Sequence, residues 1–134
     1  MGNQRINPQS MFGRLDDGAS QGISTNGRRT LYVSARTPWD ANRDLAGGSE
    51  LGPLARQALS NLQEAVESAG GTLADLVSLR IHVVGREPAL AQVIAEAMRE
   101  FFTDDAAPES TWVEMASLAD PGLLIEIEAV AVLD

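Results

Sequence analysis

The sequence has no cysteine, no lysine and only one histidine, and these absences exclude several kinds of site. Without cysteine there are no disulfide bonds, no thiolate nucleophiles and no cysteine-ligated zinc or iron–sulfur centres. The single imidazole, at His82, does not make a zinc site, and no nucleophile-elbow motif accompanies it to suggest a Ser-His-Asp triad. The pairs Gly47-Gly48 and Gly70-Gly71 lack the spacing of a phosphate-binding loop. We therefore expect no metal site, and we interpret His82 as a structural residue.

A long apolar run is also missing. The 134 residues contain no stretch of 18 apolar residues, the length that suggests a membrane-spanning helix. Residues 1–15 are polar and mixed, without the apolar segment of a secretory signal, so we expect a cytoplasmic protein. The sequence has ten arginines and nineteen acidic residues, which gives a net charge of −9. This charge argues against nucleic acid as a partner, and we interpret the adjacent Arg28 and Arg29 as solvated.

Hydrophobic periodicity predicts one α+β domain over residues 1–134. Residues 1–18 show little periodicity and are interpreted as a partly ordered N-terminal arm. The dipeptide Asn26-Gly27 predicts a hairpin between the first two strands, because both residues tolerate positive φ. The predicted elements are strands at 21–24, 30–34, 77–84, 111–115 and 123–133, helices at 54–69 and 88–102, and a single capped turn at 73–75.

The two predicted helices are too few to cover both faces of the sheet. Each helix has one apolar stripe at helical spacing, so we expect both to pack on the same face. The last strand, 123–133, is apolar at nearly every position, which predicts a central place in the sheet. Apolar residues on the second face then need another cover, and oligomerisation is the simplest one.

Glu126 and Glu128 interrupt this apolar strand. Strand alternation puts both carboxylates on one side of the sheet, where a carboxylate is costly unless it is paired or solvated in a cleft. Two interpretations stay open. Either the two residues lie on a wet face or bind an arginine at a subunit contact, or one of them holds a water molecule in a pocket. Arg80, on the neighbouring predicted strand, is the candidate partner for Glu128.

Several segments resemble the Rid (YjgF/L-PSP) family, over roughly residues 20–133. Residues 31–34, Leu-Tyr-Val-Ser, are similar to the family strand that ends in Ser-Gly, and residues 56–62, Arg-Gln-Ala-Leu-Ser-Asn-Leu, are similar to its Leu-x-Asn helix motif. The helix end Phe101-Phe102 continues the match. The most specific resemblance is the motif Ile-Glu-Ile-Glu-Ala-Val-Ala-Val at 125–132.

This resemblance implies a chorismate-mutase-like α+β fold, with a mixed sheet, two helices on one face and a homotrimeric assembly. It also implies a small-molecule ligand in three clefts between subunits, and no cofactor. Active family members hydrolyse enamine and imine acids such as 2-aminoacrylate to keto acids and ammonia. Their glutamate near the bound water matches Glu126, and the Ser-Gly at the strand end matches Ser34 and Ala35.

The family arginine that clamps the substrate carboxylate is missing. Its Pro-x-Arg-Ser segment corresponds to residues 108–111, Pro-Glu-Ser-Thr, so the arginine position falls on Ser110. A small family residue becomes Trp112, and the family tyrosine near the first strand falls on Ala19. A guanidinium pairs a carboxylate through charge-assisted hydrogen bonds, and losing about 1.5–3 kcal/mol lowers binding ten- to a hundredfold.

Arg36 is the residue that can replace the missing clamp. It follows Ser34 and Ala35 at the end of the strand, which faces the cleft in the family. Two placements stay open: the guanidinium enters the cleft and binds an anion, or it points to solvent. The predicted site consists of Glu126 as the catalytic residue and of Ser34, Ala35, Arg36, Ser110 and Trp112 as substrate-binding residues.

Two functional hypotheses follow. The first is a hydrolase of imines or enamines, in which Glu126 orients water and Arg36 holds an anion. The second is a non-catalytic, metabolite-binding or regulatory trimer, in which Trp112 walls an apolar pocket. In either case we expect Trp112 to line the same cleft as Glu126. The older family labels, endoribonuclease and translation inhibitor, fit least, because the surface is acidic and His82 is alone.

Overall fold

The computed structural model describes residues 3–10, 20, 22–27, 29–36, 50–85, 88–118 and 122–134, with the backbone alone at Ala35 and Arg36. The elements are β1 (Gln4–Ile6), β2 (Gly22–Ser24), β3 (Arg29–Arg36), α1 (Leu51–Ser68), β4 (Leu76–Val84), α2 (Pro88–Phe101), β5 (Glu109–Met115) and β6 (Ile125–Leu133). Single 3₁₀ turns at 73–75 and 104–106 lie before β4 and β5. No helix within these ranges has the length and apolar character to cross a membrane.

A four-stranded mixed sheet forms the centre of the fold, in the order β3-β6-β4-β5. β6 runs antiparallel to both of its neighbours, whereas β4 and β5 are parallel and are joined through α2. A parallel pair needs such a crossover connection, because a tight turn reverses the chain. The predicted α+β fold, with two helices on one face of a mixed sheet and the last strand central, is confirmed.

The core lies between the two helices and one face of the sheet, the helix face. Alternate residues of β6 contribute to it and are at most 5 % exposed: Ile125, Ile127, Ala129, Ala131 and Leu133. The predicted apolar stripe of α1 is buried, for example at Leu54 and Leu62, and α2 adds Ile94 and Met98. Full burial of one such side chain contributes about 1.5–3 kcal/mol. Gly70, at φ +90°, follows α1 in a conformation that strains other residues.

The opposite face of the sheet, the open face, is not covered by a helix in the described part of the chain. Its side chains come from all four strands: Tyr32 and Ser34 of β3, Glu126, Glu128 and Val130 of β6, Ser78, Arg80 and His82 of β4, and Glu109, Thr111 and Val113 of β5. Tyr32 is 77 % exposed. The open face therefore mixes apolar and ionisable groups, as the sequence predicted for β6.

The predicted hairpin at Asn26-Gly27 is wrong. β2 pairs with β1 in a separate two-stranded sheet, and β3 pairs with β6. Gly27 instead allows the chain to pass close to Val132 and Leu133 of β6. A Cβ at this position would lie 2.5 Å from Val132 Cγ1 and 2.8 Å from the backbone oxygen of Leu133. A tight turn and a close approach both require glycine, so the sequence pattern did not separate them.

β1 lies inside the segment that was interpreted as a partly ordered arm, and Arg5 holds it in place. The guanidinium of Arg5 donates hydrogen bonds to the backbone oxygens of Ala74, at 2.6 Å, and Ala106, at 3.1 Å. Partial burial lowers the pKa of Arg5, against the opposing effect of Asp105. Contacts so distant in sequence leave no local pattern, which is why β1 was missed. Residues 11–18 lie outside the described ranges.

An exposed ion pair joins the two helices. Arg56 of α1 donates two hydrogen bonds to the Glu100 carboxylate of α2, from Nε at 2.6 Å and from Nη2 at 2.9 Å. The hydrogen bond from Arg56 lowers the pKa of Glu100 below its usual 4.5. A carboxyl group with a lowered pKa stabilises the fold above its unfolded-state pKa, and this contribution disappears as the pH falls through the folded-state value.

We therefore expect Glu100→Gln to lower the melting temperature at neutral pH, and the difference from the wild type to shrink as the pH falls below 4.5. Thermal unfolding at low salt, followed by circular dichroism from about pH 7 to pH 3, measures this. Glu96→Gln is the matched control, because it removes the same charge from α2 without a hydrogen bond to Arg56. A difference that stays constant with pH would contradict the prediction.

Candidate functional site

Glu126 lies on the open face, directly opposite His82 of β4. Both side chains are half-buried. Directly opposed residues of antiparallel strands have their Cβ atoms about 4.5–5.5 Å apart, so the imidazole and the carboxylate are neighbours. Val113 of β5 lies on the other side of His82. The lone histidine, interpreted from sequence as structural, is thus placed beside the predicted catalytic carboxylate.

Glu128 faces the same way as Glu126, as strand alternation predicted, but it is paired. Arg80 Nη1 donates to Glu128 Oε1 at 2.8 Å, which confirms the predicted partner. Across the described ranges, neither a hydrogen bond nor an ion pair reaches Glu126. The two carboxylates therefore differ: Glu128 is paired with a cation, whereas no described residue forms an ion pair with Glu126.

A depression of about 420 Å³ lies on the open face beside this ion pair. Its lining includes Tyr32, Ser34, Ser78, Arg80, Glu128 and Val130. Ser34, a predicted substrate-binding residue, is therefore on the same face as both glutamates, at the Glu128 end. The exposed phenol ring of Tyr32 and the apolar side chain of Val130 give this depression a mixed character.

The strand end that carries Arg36 is close to Glu126 along the backbone. Arg36 pairs with Ile127, the residue between the two glutamates, and the register shifts between Val33 and Arg36. The side chains of Ala35 and Arg36 lie outside the described part of the structure, as does all of Ala19. The entry of the Arg36 guanidinium into the cleft stays a prediction.

Ser110, the predicted counterpart of the family clamp, is buried on the helix face. It is 1 % exposed and lies beside Leu79 of β4. Trp112 Nε1 donates a hydrogen bond to Ser110 Oγ at 2.8 Å. The hydroxyl at the clamp position therefore accepts a hydrogen bond from an indole, and it cannot neutralise a substrate carboxylate.

Trp112 lies on the opposite face of the sheet from Glu126. Trp112 is beside Ile81, a core residue of the helix face, whereas Glu126 is beside His82 on the open face. Within one chain, Trp112 and Glu126 therefore do not share a face, and their meeting in a cleft between subunits stays a prediction. Strand alternation predicts which residues of β5 share a face. It does not predict how β5 is aligned with β6, because β4 lies between these two strands.

Trp112 walls a second pocket, of about 210 Å³, between β5 and the start of α2. The other lining residues are mainly apolar and include Val83, Pro88, Leu90, Ala91 and Ile94, together with the polar Glu114. Small-molecule sites are typically concave and apolar, with few polar groups. This pocket therefore has the character of a site for a small apolar ligand.

The start of β5 is held from both sides, and this positions Ser110. On the outer side, the Ser20 backbone N–H donates to the Pro108 oxygen at 2.8 Å, and Ser20 forms a parallel bridge with Glu109. On the inner side, the Ser78 hydroxyl donates to Glu109 Oε2 at 2.7 Å.

In the ranges that the structure describes, no group of three histidine, aspartate or glutamate side chains is arranged to hold a metal ion.

Comparisons with known proteins agree with this architecture. The family model described as Endoribonuclease L-PSP matches residues 19–133. YyfB, a Rid family protein of unknown function from Yersinia pestis, is 36 % identical, with a TM-score of 0.94 over 99 % of this chain and 100 % of its own. A member of the YjgF/YER057c/UK114 family from Mycobacterium tuberculosis is 25 % identical, with a TM-score of 0.65 over 98 % of this chain and 100 % of its own.

Proposed function

The chain belongs to the Rid (YjgF/L-PSP) family, and from this premise we propose that it is a homotrimeric protein that binds a small molecule and hydrolyses an imine or enamine. The observation that carries the proposal is Glu126, a half-buried carboxylate beside His82 that forms no ion pair with a described residue. Such a carboxylate is a typical acceptor for a proton from water. The ligand sites lie in clefts between subunits of a cytoplasmic trimer.

In the proposed reaction, Glu126 accepts a hydrogen bond from water and orients its oxygen toward the imine carbon. The water oxygen forms a bond to that carbon, and the proton released by the water passes to the imine nitrogen through the carboxylate. The hydroxyl proton of the resulting carbinolamine then passes to the nitrogen as the carbon–nitrogen bond breaks, and the products are a carbonyl compound and ammonia. Atoms balance with one water per imine, and neither electrons nor a cofactor are required.

Non-catalytic binding is the second candidate. Two observations support it. Ser110, the predicted counterpart of the clamp arginine, accepts a hydrogen bond from Trp112. Trp112 also forms one wall of the apolar pocket. A ligand in that pocket would be held mainly by apolar contacts. The word endoribonuclease in the family description fits this chain less well, because its net charge of −9 repels RNA.

The two candidates are separated by a coupled assay with freshly generated imines, in which carbonyl and ammonia release is compared with and without the protein. Hydrolysis predicts acceleration that Glu126→Gln removes, whereas non-catalytic binding predicts no acceleration and an unchanged ligand affinity in Glu126→Gln. His82→Gln is measured separately, because it tests the neighbouring imidazole while the Glu126 carboxylate stays in place.

The trimer is tested by light scattering, where we expect about three times the chain mass of 14.2 kDa. The physical motive is the open face, where Tyr32 is 77 % exposed and lies beside Val130, with no helix of the described ranges to cover them. Val130→Glu places a charge on this face and should yield a folded monomer. A stable wild-type monomer at micromolar concentration would refute the assembly.

A further inference from the structure

The charges around Glu126 restrict what a ligand of this site can carry. Arg80 is the nearest described cation on the open face, and it is bound to Glu128 at 2.8 Å. Ser110, at the position where relatives place an arginine, is a buried hydroxyl on the other face of the sheet. A ligand carboxylate beside Glu126 would therefore meet a like charge, with no cation of the described residues free to neutralise it, which is costly.

The same surroundings favour an N–H donor. A half-buried carboxylate without a partner accepts charge-assisted hydrogen bonds from cationic N–H groups, and these are about twice as strong as neutral ones. A protonated imine carries such an N–H on the atom that leaves during hydrolysis. His82, directly opposite, offers a further donor or acceptor, and Val113 beside it is apolar.

We propose that the ligands of this site are imines without a carboxylate, formed from amines rather than from amino acids. This inference rests on the proposed function and assigns its substrate class. The iminium N–H binds the Glu126 carboxylate, and the hydrocarbon part of the ligand packs on apolar groups of the cleft. Selection against amino-acid imines follows from the uncompensated carboxylate, because it repels a second one.

This substrate class also fixes the reaction that must supply it. A primary amine loses two electrons and two protons to an oxidant, such as molecular oxygen at a flavin oxidase, and yields an imine and hydrogen peroxide. The chain then adds water, so that RCH=NH₂⁺ and H₂O become RCHO and NH₄⁺. The second step transfers no electrons, so it needs no redox partner.

The experiment compares two imines that differ only in the carboxylate. 2-Phenylethylamine with a flavin amine oxidase, and phenylalanine with an amino acid oxidase, release imines with the same phenylethyl skeleton. Carbonyl release is followed with increasing amounts of the trimeric protein. We expect an acceleration for the amine-derived imine at least about tenfold greater than for the amino-acid imine, the effect of one charged contact. Equal acceleration, or a preference for the amino-acid imine, would overturn the substrate class.

Binding of the unoxidised compounds separates this inference from the proposed catalysis. We expect 2-phenylethylamine to bind about tenfold more tightly than phenylalanine by calorimetry, and Glu126→Gln to remove the difference. If this preference is found without any hydrolysis, the catalytic proposal fails and the ligand class stands. If phenylalanine binds as tightly and Arg36→Gln weakens it selectively, Arg36 supplies a clamp and the ligand class is wrong.

Discussion

Ser110→Arg is expected to destabilise the protein strongly and to leave amino-acid imines without detectable hydrolysis. Ser110 is 1 % exposed and lies beside Leu79 in the sheet, so the new guanidinium would be buried without a carboxylate partner. An uncompensated buried charge costs about 3–5 kcal/mol. The substitution also removes the acceptor of the Trp112 indole N–H. The predicted clamp therefore cannot be restored by one substitution at this position.

Two further variants separate these costs. Ser110→Ala removes the acceptor alone, at about 1 kcal/mol, and adds neither charge nor volume. Ser110→Arg combined with Trp112→Ser removes the indole that fills the adjacent space, so that the guanidinium can reach the Trp112 pocket and solvent. We expect this double variant to recover part of the lost stability and to gain affinity for a carboxylate.

Urea unfolding of the four proteins, with the imine assay in parallel, measures both effects. The expected order of stability is wild type, Ser110→Ala, the double variant and then Ser110→Arg. A Ser110→Arg protein as stable as the wild type would mean that the position is not closed. Substantial hydrolysis of phenylalanine imine by the wild type would mean that another cation, such as Arg36, already replaces the clamp.

The elements that the sequence predicted well are those whose residues repeat at a local spacing. The apolar stripe of α1 and the alternation of β4 are properties of neighbouring residues, so their patterns survive in one dimension. The central position of β6 was predicted for a related reason, since a strand with neighbours on both sides is typically apolar at most positions. α1 begins at Leu51, before the predicted start, because Leu51 is itself buried.

The candidate site was predicted only in part, because its geometry depends on which strands are neighbours. Adjacent strands gave a correct result: Arg80 and Glu128 lie opposite each other and form the predicted ion pair. For strands that are not adjacent, the sequence pattern did not predict which side chains share a face. Trp112 and Glu126 are separated by β4, and a shift of one residue in register moves a side chain to the other face.

His82 shows a different limit of prediction from sequence patterns. A single histidine in a strand carries no motif, so its position opposite Glu126 has no signal in the sequence beyond the pairing of β4 with β6. Arg5 is similar, since its carbonyl partners at Ala74 and Ala106 are far along the chain. Both residues contact groups that only the folded chain brings together; the pairing of β4 with β6 gives the neighbour of His82, whereas the partners of Arg5 lie in the turns at 73–75 and 104–106.

Glu128→Gln is expected to dissociate the trimer, whereas Glu126→Gln should leave both fold and assembly intact. In the separate chain the Arg80–Glu128 pair is partly exposed, 59 % and 38 %, so its loss costs less than about 1 kcal/mol. In the proposed trimer a second copy covers the open face, and Arg80 without a partner then becomes a buried, unpaired charge. Breaking a buried pair costs about 3–5 kcal/mol, enough to shift a trimer toward monomers.

The comparison uses two variants that make the same chemical change two residues apart on one strand face. Glu128→Gln should show a light-scattering mass that falls on dilution, with nearly unchanged circular dichroism. Glu126→Gln should keep the wild-type mass and melting temperature but lose at least about tenfold in ligand affinity or turnover, the effect of one charged contact. The opposite pattern would reverse the two assignments, since it would place Glu126 in the subunit contact and Glu128 at the ligand. The distinction follows from geometry: Arg80 donates a hydrogen bond to Glu128, whereas no described cation pairs with Glu126.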